Sequence, residues 1–307
     1  MRALVYKSTG SWYVVKTESG RTYNARIKGV FKIEGITSTN PIAVGDEVEI
    51  DEEGETNTAI INRIHPRRNY VARSSPHRKT QHHIIASNLD QSILFVTLRE
   101  PRTSQGFIDR FLVSCEAYHV PAVLVFNKAD IYKAKELALF EALKEIYEQV
   151  GYEVLLTSVT NGEGVDTVRE LLVNQTTLLT GHSGVGKSTL INAIFPQLHL
   201  KTQEVSGWSG KGMHTTTFAE MFDLPDGGRI IDTPGIKEFG IVDISKQELS
   251  HYFPEMRQRL KDCQFNNCLH INEPGCAVKA AVEKEEIFPD RYISYVNILD
   301  SMEESKY

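Results

Sequence analysis

No run of residues in this chain is apolar for long enough to cross a bilayer, which takes about 20 predominantly apolar residues. The opening stretch, MRALVYKSTGSWYVV, lacks the unbroken apolar core of a secretory signal. Both absences point to a cytoplasmic protein with no membrane partner. Cysteine is scarce, with four among 307 residues, too few for a disulfide-built fold of this size. Acidic residues are absent from 56 to 89, although the whole chain carries a formal net charge of −6. The overall charge argues against wholesale nucleic-acid binding, but recognition depends on where charge sits. The acid-free segment holds Arg63, Arg67, Arg68, Arg73, Arg78 and Lys79, with His65, His77, His82 and His83. Two readings stay open for it: a solvated linker, or a polyanion contact beside the preceding domain.

What is present divides the chain into three parts. A content of 41% hydrophobic and 24% charged residues is that of a soluble globular protein, and the length allows two or three domains. Short strand-like runs, RALVYKS, SWYVVKT, RTYNARI, DEVEID and TAIINRI, follow one another through residues 2–64. Their spacing predicts a small antiparallel barrel over 1–66. An OB-type barrel is preferred, and an SH3-like one would give much the same pattern. From Ile84 strand-like and helix-like segments alternate, which predicts an α/β domain over 67–240 with a mostly parallel sheet covered on both faces. After RIIDTPG the alternation stops, and 241–307 reads as a helical domain around a cysteine cluster. Tyr292, Tyr295, Ile298 and Leu299 have helical spacing there and suit a core or an interface.

The segment GHSGVGKST, Gly181 to Thr189, follows the strand TTLLTG and opens the helix STLINAIF, the context that a phosphate-binding loop requires. Gly181, Gly184 and Gly186 let backbone N–H groups turn toward phosphate oxygens, with His182, Ser183 and Val185 between them. The helix N-terminus adds partial positive charge. Lys187 supplies a point charge for the β and γ phosphates, and the Ser188 hydroxyl suits Mg²⁺. His182 is expected to be a spacer. Asp232 and Gly235 of DTPG end the next predicted strand, where an Asp can hold Mg²⁺ through water and a Gly N–H can meet the γ-phosphate. The intervening 201–217 has the composition of a switch segment. One of its three threonines is expected to ligate Mg²⁺, Thr216 being preferred and Thr215 close behind.

FNKAD, residues 126–130, ends another apolar strand. Asp130 can accept from guanine N1–H and the 2-amino group together, two donors that adenine lacks, so adenine would leave the carboxylate unpaired. Asn127 can tie the loop to the ring edge, Lys128 can lie along the base, and Ala129 completes the turn. TSVTNG, with Ser158 in it, ends the next strand, where a backbone N–H is expected to meet guanine O6. The reader therefore precedes the phosphate loop, a cyclic shift of the usual order. The cut falls just after DTPG, so the second switch leads straight into the C-terminal segment. That suggests a route by which the γ-phosphate could act on the C-terminal domain.

Cys263, Cys268, His270 and Cys276 give three thiolates and an imidazole, the ligand set of a closed tetrahedral zinc site. Their spacing is not that of a standard zinc finger. A site with no open position is structural, and a C-terminal domain of this size has a thin core that zinc would support. Cys115 lies alone in an apolar stretch and is expected to be a plain buried thiol. The residue after DTPG is Ile236, where Ras-type GTPases carry a water-orienting glutamine. Intrinsic hydrolysis is therefore expected to be slow. His214 is the candidate to orient water, against the alternative that it contacts RNA or shapes the switch.

These motifs together resemble the RsgA family, also called YjeQ. The resemblance rests on NKAD, GHSGVGKSTLIN, GMHTTT, DTPGIKEFG and CQFNNCLHINEPGCAVKAAV, with RYISY after it. It covers nearly the whole chain and implies an N-terminal OB barrel that binds RNA, a circularly permuted GTPase domain and a C-terminal zinc domain. It further implies a GTPase that binds the small ribosomal subunit and its rRNA late in assembly, near the decoding region. The subunit would stimulate hydrolysis, and hydrolysis would release the protein. Implied partners are GTP and GDP, the subunit and other assembly factors, with the protein itself a monomer. Val159 stands where the family usually has alanine, and Ser209 where a basic residue is common. Two other functions compete with this one. In an RNA-binding nucleotide switch, hydrolysis is not required for function. A metabolic phosphotransferase would need an acceptor site, and the sequence shows none.

Overall fold

The computed structural model describes residues 1–27, 40–54, 57–74, 82–200, 219–233 and 244–302. Alternating buried and exposed side chains make the first five strands: β1 (Arg2–Ser8), β2 (Tyr13–Thr17), β3 (Thr22–Ile27), β4 (Glu47–Glu52) and β5 (Thr58–Ile64). Val5, Tyr13, Val15, Tyr23, Ala25, Val48, Ile50, Ala59 and Ile61 point inward and form one core. The strands run β1-β2-β3-β5-β4, and β4 pairs back to β1 to close the barrel. The β3–β5 pairing is parallel, which a simple succession of hairpins cannot give. This selects the OB-type order.

Where it is described, the acid-free segment is largely strand. Tyr70–Ser74 (β6) and His82–Ser87 (β7) form an antiparallel pair. This hairpin is clasped to the barrel through Asp46, which is fully buried. Arg67 donates to both Asp46 carboxylate oxygens at 2.7 and 2.6 Å, and the Ser87 hydroxyl donates to one at 2.6 Å. Gly45 has φ +91°, and a Cβ there would lie 2.2 Å from the Ser87 carbonyl oxygen, so only glycine permits this approach.

The alternating region builds the expected sheet. Its strands are β8 (Gln91–Val96), β9 (Ala122–Phe126), β10 (Glu153–Leu156), β11 (Thr176–Thr180), β12 (Glu220–Asp223) and β13 (Arg229–Asp232), in the order β10-β9-β8-β11-β13-β12. All pairs are parallel except β12–β13. β8 is buried at every position, as expected of a central strand covered on both faces. The helices are α1 (Gln105–Ala117), α2 (Ala134–Val150), α3 (Val165–Leu172) and α4 (Lys187–Ile194). α1 starts at Ser104, whose hydroxyl accepts from the Phe107 N–H. α2 stops at Gly151, with φ 107°. One apolar core, holding Phe111, Phe126, Phe140 and Tyr147, lies on one face of the sheet, and a second, holding Phe95, Leu190, Ile191 and Phe195, lies on the other.

β12, four residues long, carries no periodicity that marks it in the sequence. It also joins the two domains: Lys7 of β1 pairs with Glu220 of β12, so barrel and central sheet are hydrogen-bonded together. The C-terminal region has short helices, α5 (Pro254–Arg257), α6 (Ala277–Glu283) and the longer α7 (Pro289–Ser301), with one 3₁₀ turn before α5 and another between α5 and α6. Tyr295, Ile298 and Leu299 of α7 are buried in its core, which also takes in Val113 of α1. Among the described residues no helix is long and apolar enough to cross a membrane.

Candidate functional site

The phosphate loop and the guanine-reader motif, far apart in sequence, meet at the ends of β11 and β9, the two strands that flank β8. Gly181 to Gly186 runs from β11 into α4, and Gly186 caps that helix with φ 92°. FNKAD leaves β9, on the other side of β8. The Asn127 side chain donates to the Val185 carbonyl at 2.9 Å, across 58 residues of chain. A Cβ on Gly186 would sit 2.5 Å from the Asn127 amide nitrogen, so that glycine is required by the close approach. Asn127 is almost fully buried, and its amide oxygen accepts from the Thr157 hydroxyl at 3.0 Å. Its orientation is thus fixed from both ends. Thr157 is a residue that sequence reasoning quoted without assigning a role.

Lys128 adopts a left-handed backbone, φ 64°, and its ammonium donates to the Glu100 carbonyl at 2.7 Å. Asp130 projects from the following turn. The Ser158 hydroxyl donates to its carboxylate at 2.6 Å and holds the carboxyl below its usual pKa range. Asp130 therefore stays an acceptor at neutral pH. The Ser158 N–H is already spent on the Glu163 carbonyl at 2.9 Å. Ser158 thus serves this end through its hydroxyl. Ala129 is pinned by its N–H to the Thr157 carbonyl at 3.0 Å.

At the phosphate end, the Lys187 ammonium donates to the carbonyls of Gly181 and His182 at 2.8 and 3.1 Å. Burial pulls its pKa down, and Asp232 opposes that shift. Burial likewise pushes Asp232 up, and Lys187 opposes it. The two groups steady each other's charged forms in a partly dry site. Thr233 donates from its hydroxyl to the Leu179 carbonyl at 3.1 Å, which ties the strand end carrying Asp232 to β11. Ser188 and Thr189 lie in the first turn of α4, and Ser183 and Gly184 lie in the loop before it. His182 also makes a ring contact. Its ring lies on that of Phe107, with centroids 4.0 Å apart and planes tilted by 31°. Burial and the Lys187 charge lower its pKa, which favours the neutral ring. His214, Thr215, Thr216, Ser209, Gly235 and Ile236 lie outside the described residues, as do His77, Arg78 and Lys79.

The cysteine cluster forms a second site. The donor atoms of Cys263, Cys268, His270 and Cys276 all lie within 4.8 Å of one another. His270 turns Nδ1 to the thiols, 3.7 Å from Cys263 Sγ and 3.3 Å from Cys276 Sγ. None of the cysteines is in a disulfide. Three thiols and one imidazole nitrogen converging on one point is the donor set of a tetrahedral metal site. The loop is set by residues that the spacing pattern did not reveal. The Glu273 carboxylate accepts from the N–H groups of Leu269, Ile271 and Asn272 at 2.9, 2.9 and 3.1 Å. Tyr292 and Tyr295 of α7 donate to the carbonyls of His270 and Leu269 at 2.7 and 2.8 Å. Cys115 is buried away from this cluster, and burial pushes its thiol far up, so it stays unreactive.

Comparison with known proteins agrees with this geometry. The RsgA N-terminal domain matches residues 3–61, and the RsgA GTPase matches residues 64–242. The chain is 54% identical to the small ribosomal subunit biogenesis GTPase RsgA of Christiangramia forsetii, over 99% of this chain and 98% of that protein. It is 52% identical to the protein of the same name from Bacteroides fragilis, over 100% and 99%. The crystal structure of YjeQ from Thermotoga maritima superposes with a TM-score of 0.78 at 34% identity, covering 99% of both chains. YloQ, described as a circularly permuted GTPase, gives 0.73 at 29% identity, covering 100% of this chain and 96% of that one. With its guanine reader ahead of its phosphate loop in sequence and beside it in space, the chain belongs to the circularly permuted RsgA GTPase family.

Proposed function

We propose that this protein is a GTP hydrolase of small ribosomal subunit assembly. It binds the maturing subunit late, hydrolyses GTP when the subunit stimulates it, and is then released. The observation that carries the nucleotide part is the 2.9 Å bond from Asn127 to the Val185 carbonyl. It makes one site out of a guanine reader and a phosphate cradle. The names of the full-length relatives support the ribosomal part.

In this reading Asp130 accepts from the guanine edge, held charged by Ser158. Because the Ser158 N–H is already bonded, the donor to guanine O6 is the backbone of Val159, where the side chain is immaterial. Lys128 lies along the base. The backbone of residues 181–189 wraps the phosphates, and Lys187 turns from the Gly181 and His182 carbonyls to phosphate oxygens. Mg²⁺, with Ser188 and Thr216 as its protein ligands and Asp232 behind them, supplies charge neutralisation at the phosphates. Ile236 has no group to orient water, so His214 takes that role. Cys263, Cys268, His270 and Cys276 hold one zinc ion, and four protein ligands leave no position for substrate, so it serves folding.

Multiple-turnover phosphate release, measured with purified mature and immature small subunits, tests the reading. The expected result is slow turnover alone and faster turnover with subunits. Turnover unaffected by subunits would overturn it. His214→Ala is expected to abolish the stimulation while binding persists.

A further inference from the structure

Helix α1 touches both ends of the molecule's chemistry. Phe107 in its first turn lies against His182 of the phosphate loop. Two residues on, Asp109 is fully buried and meets Arg291 of α7 at 2.5 Å. Arg291 is itself fully buried, pairs with Glu255 at 2.7 Å, and lies 4.7 Å from the Phe253 ring centroid. Tyr147 of α2 donates to the same Asp109 carboxylate at 2.9 Å. Farther along α1, Arg110 donates to the Ser301 hydroxyl at 2.8 Å, Val113 enters the C-terminal core, and Glu116 pairs with Arg257 at 3.0 Å. One helix of 13 residues, about 20 Å long, thus spans from the phosphate loop across the C-terminal domain. α7, in turn, grips the metal loop through Tyr292 and Tyr295.

The contact at the loop end is placed to respond to nucleotide. Lys187 donates to the carbonyls of Gly181 and His182. A phosphate oxygen entering the loop competes for the same ammonium protons. The bonding that changes is therefore at the base of the His182 side chain, whose ring rests on Phe107. A packed helix transmits such a change as a small rigid shift, because close-packed interiors do not absorb strain locally. We propose that α1, through the Phe107–His182 contact, couples the nucleotide state of the phosphate loop to the C-terminal Cys3His domain. Phe107 is a positioning residue in this scheme. The route runs alongside the one through the chain after Asp232 and uses none of those residues. It rests on the reading of the loop as a GTP site.

Hydrogen exchange on the full chain tests the coupling, comparing α7 amides with GDP and with a non-hydrolysable GTP analogue bound. Binding of both nucleotides is followed in the same samples by competition with a fluorescent GDP. In the native protein, exchange in α7 is expected to differ about 5-fold or more between the two states, the low end of measured allosteric couplings. In Phe107→Leu, which fills the space without a ring face, and in Phe107→Ala, the difference is expected to collapse. Phe107→Tyr, which keeps the ring, restores it. A nucleotide-dependent difference that persists in either ring-less variant, or that is absent from nucleotide-bound native protein, overturns the coupling. Native protein that binds no guanine nucleotide overturns the proposed function and this inference with it.

Discussion

The central domain is held on its two sides by different physics. Toward the barrel, β1 and β12 share main-chain pairing, and the surrounding ion pairs stand partly in water: Lys7 with Glu220 at 2.8 Å, and Lys16 with Asp223 at 2.6 Å. Toward the C-terminal domain, the contact is a shared apolar core with a buried Arg291–Asp109–Glu255 network inside it. Exposed pairs are screened and each contributes little. A buried network is costly to break, because removing one partner strands the other's charge. The β1–β12 seam therefore tolerates change piece by piece, whereas the C-terminal network, like the buried Asp46–Arg67 clasp at the hairpin, is costly to break.

Five experiments probe that contrast. The largest effect is expected from removing the metal. Structural zinc contributes on the order of 10–16 kcal/mol in small peptides. Chelation or Cys268→Ser is thus expected to unfold 244–302 and leave the barrel folded. Zinc release followed by a colorimetric chelator, with limited proteolysis of the product, checks this. If cleavage spreads equally to the barrel, the two sides are not independent. Next comes Asp109→Ala, which leaves Arg291 only Glu255. A loss of about 3–5 kcal/mol in urea denaturation is expected, and a loss below about 1 kcal/mol would show the network to be dispensable.

Asp130→Asn touches neither contact and serves as the control. It removes a charged acceptor of two hydrogen bonds, which should weaken GTP binding by about 100-fold, taking about 3 kcal/mol for charged hydrogen bonds. Thermal stability without nucleotide should stay near native. The smallest effects belong to the barrel side. Lys7→Ala is expected to cost under about 1 kcal/mol, and less in high salt. Burial acts to raise the Asp223 carboxyl, but hydrogen bonds from Lys16 and Tyr6 outweigh it and hold the pKa below its usual value. A depressed carboxylate stabilises the fold above its unfolded value of about 3.9 and loses that contribution as pH falls further. Native protein should thus lose more stability than Asp223→Asn between about pH 5 and about pH 2. Equal losses would remove Asp223 from the contact.

Much of the site was legible because its chemistry is local. Asp130, Lys187 and the cluster of Cys263, Cys268, His270 and Cys276 are recognisable from short spacings set on strands and turns. The barrel strands were legible because one face of each is buried and the residues alternate accordingly. β12 was not, because a strand of four residues with one fully buried side chain has no periodicity to detect. The hairpin β6–β7 was hidden by its basic composition, which reads as solvated until Asp46 and Ser87 are seen to anchor it.

The order of the motifs, the permuted connectivity and the residue types in each site are already present in the chain before it folds. Those follow from local backbone preference and from which side chains can accept, donate or ligate. Folding alone brings Asn127 onto Val185, His182 onto Phe107, and Arg291 into burial against Asp109, 182 residues away. Nothing near Arg291 in sequence marks it for burial. A charge goes inside only where the fold brings a partner to meet it, and that partner lies on a helix of another domain.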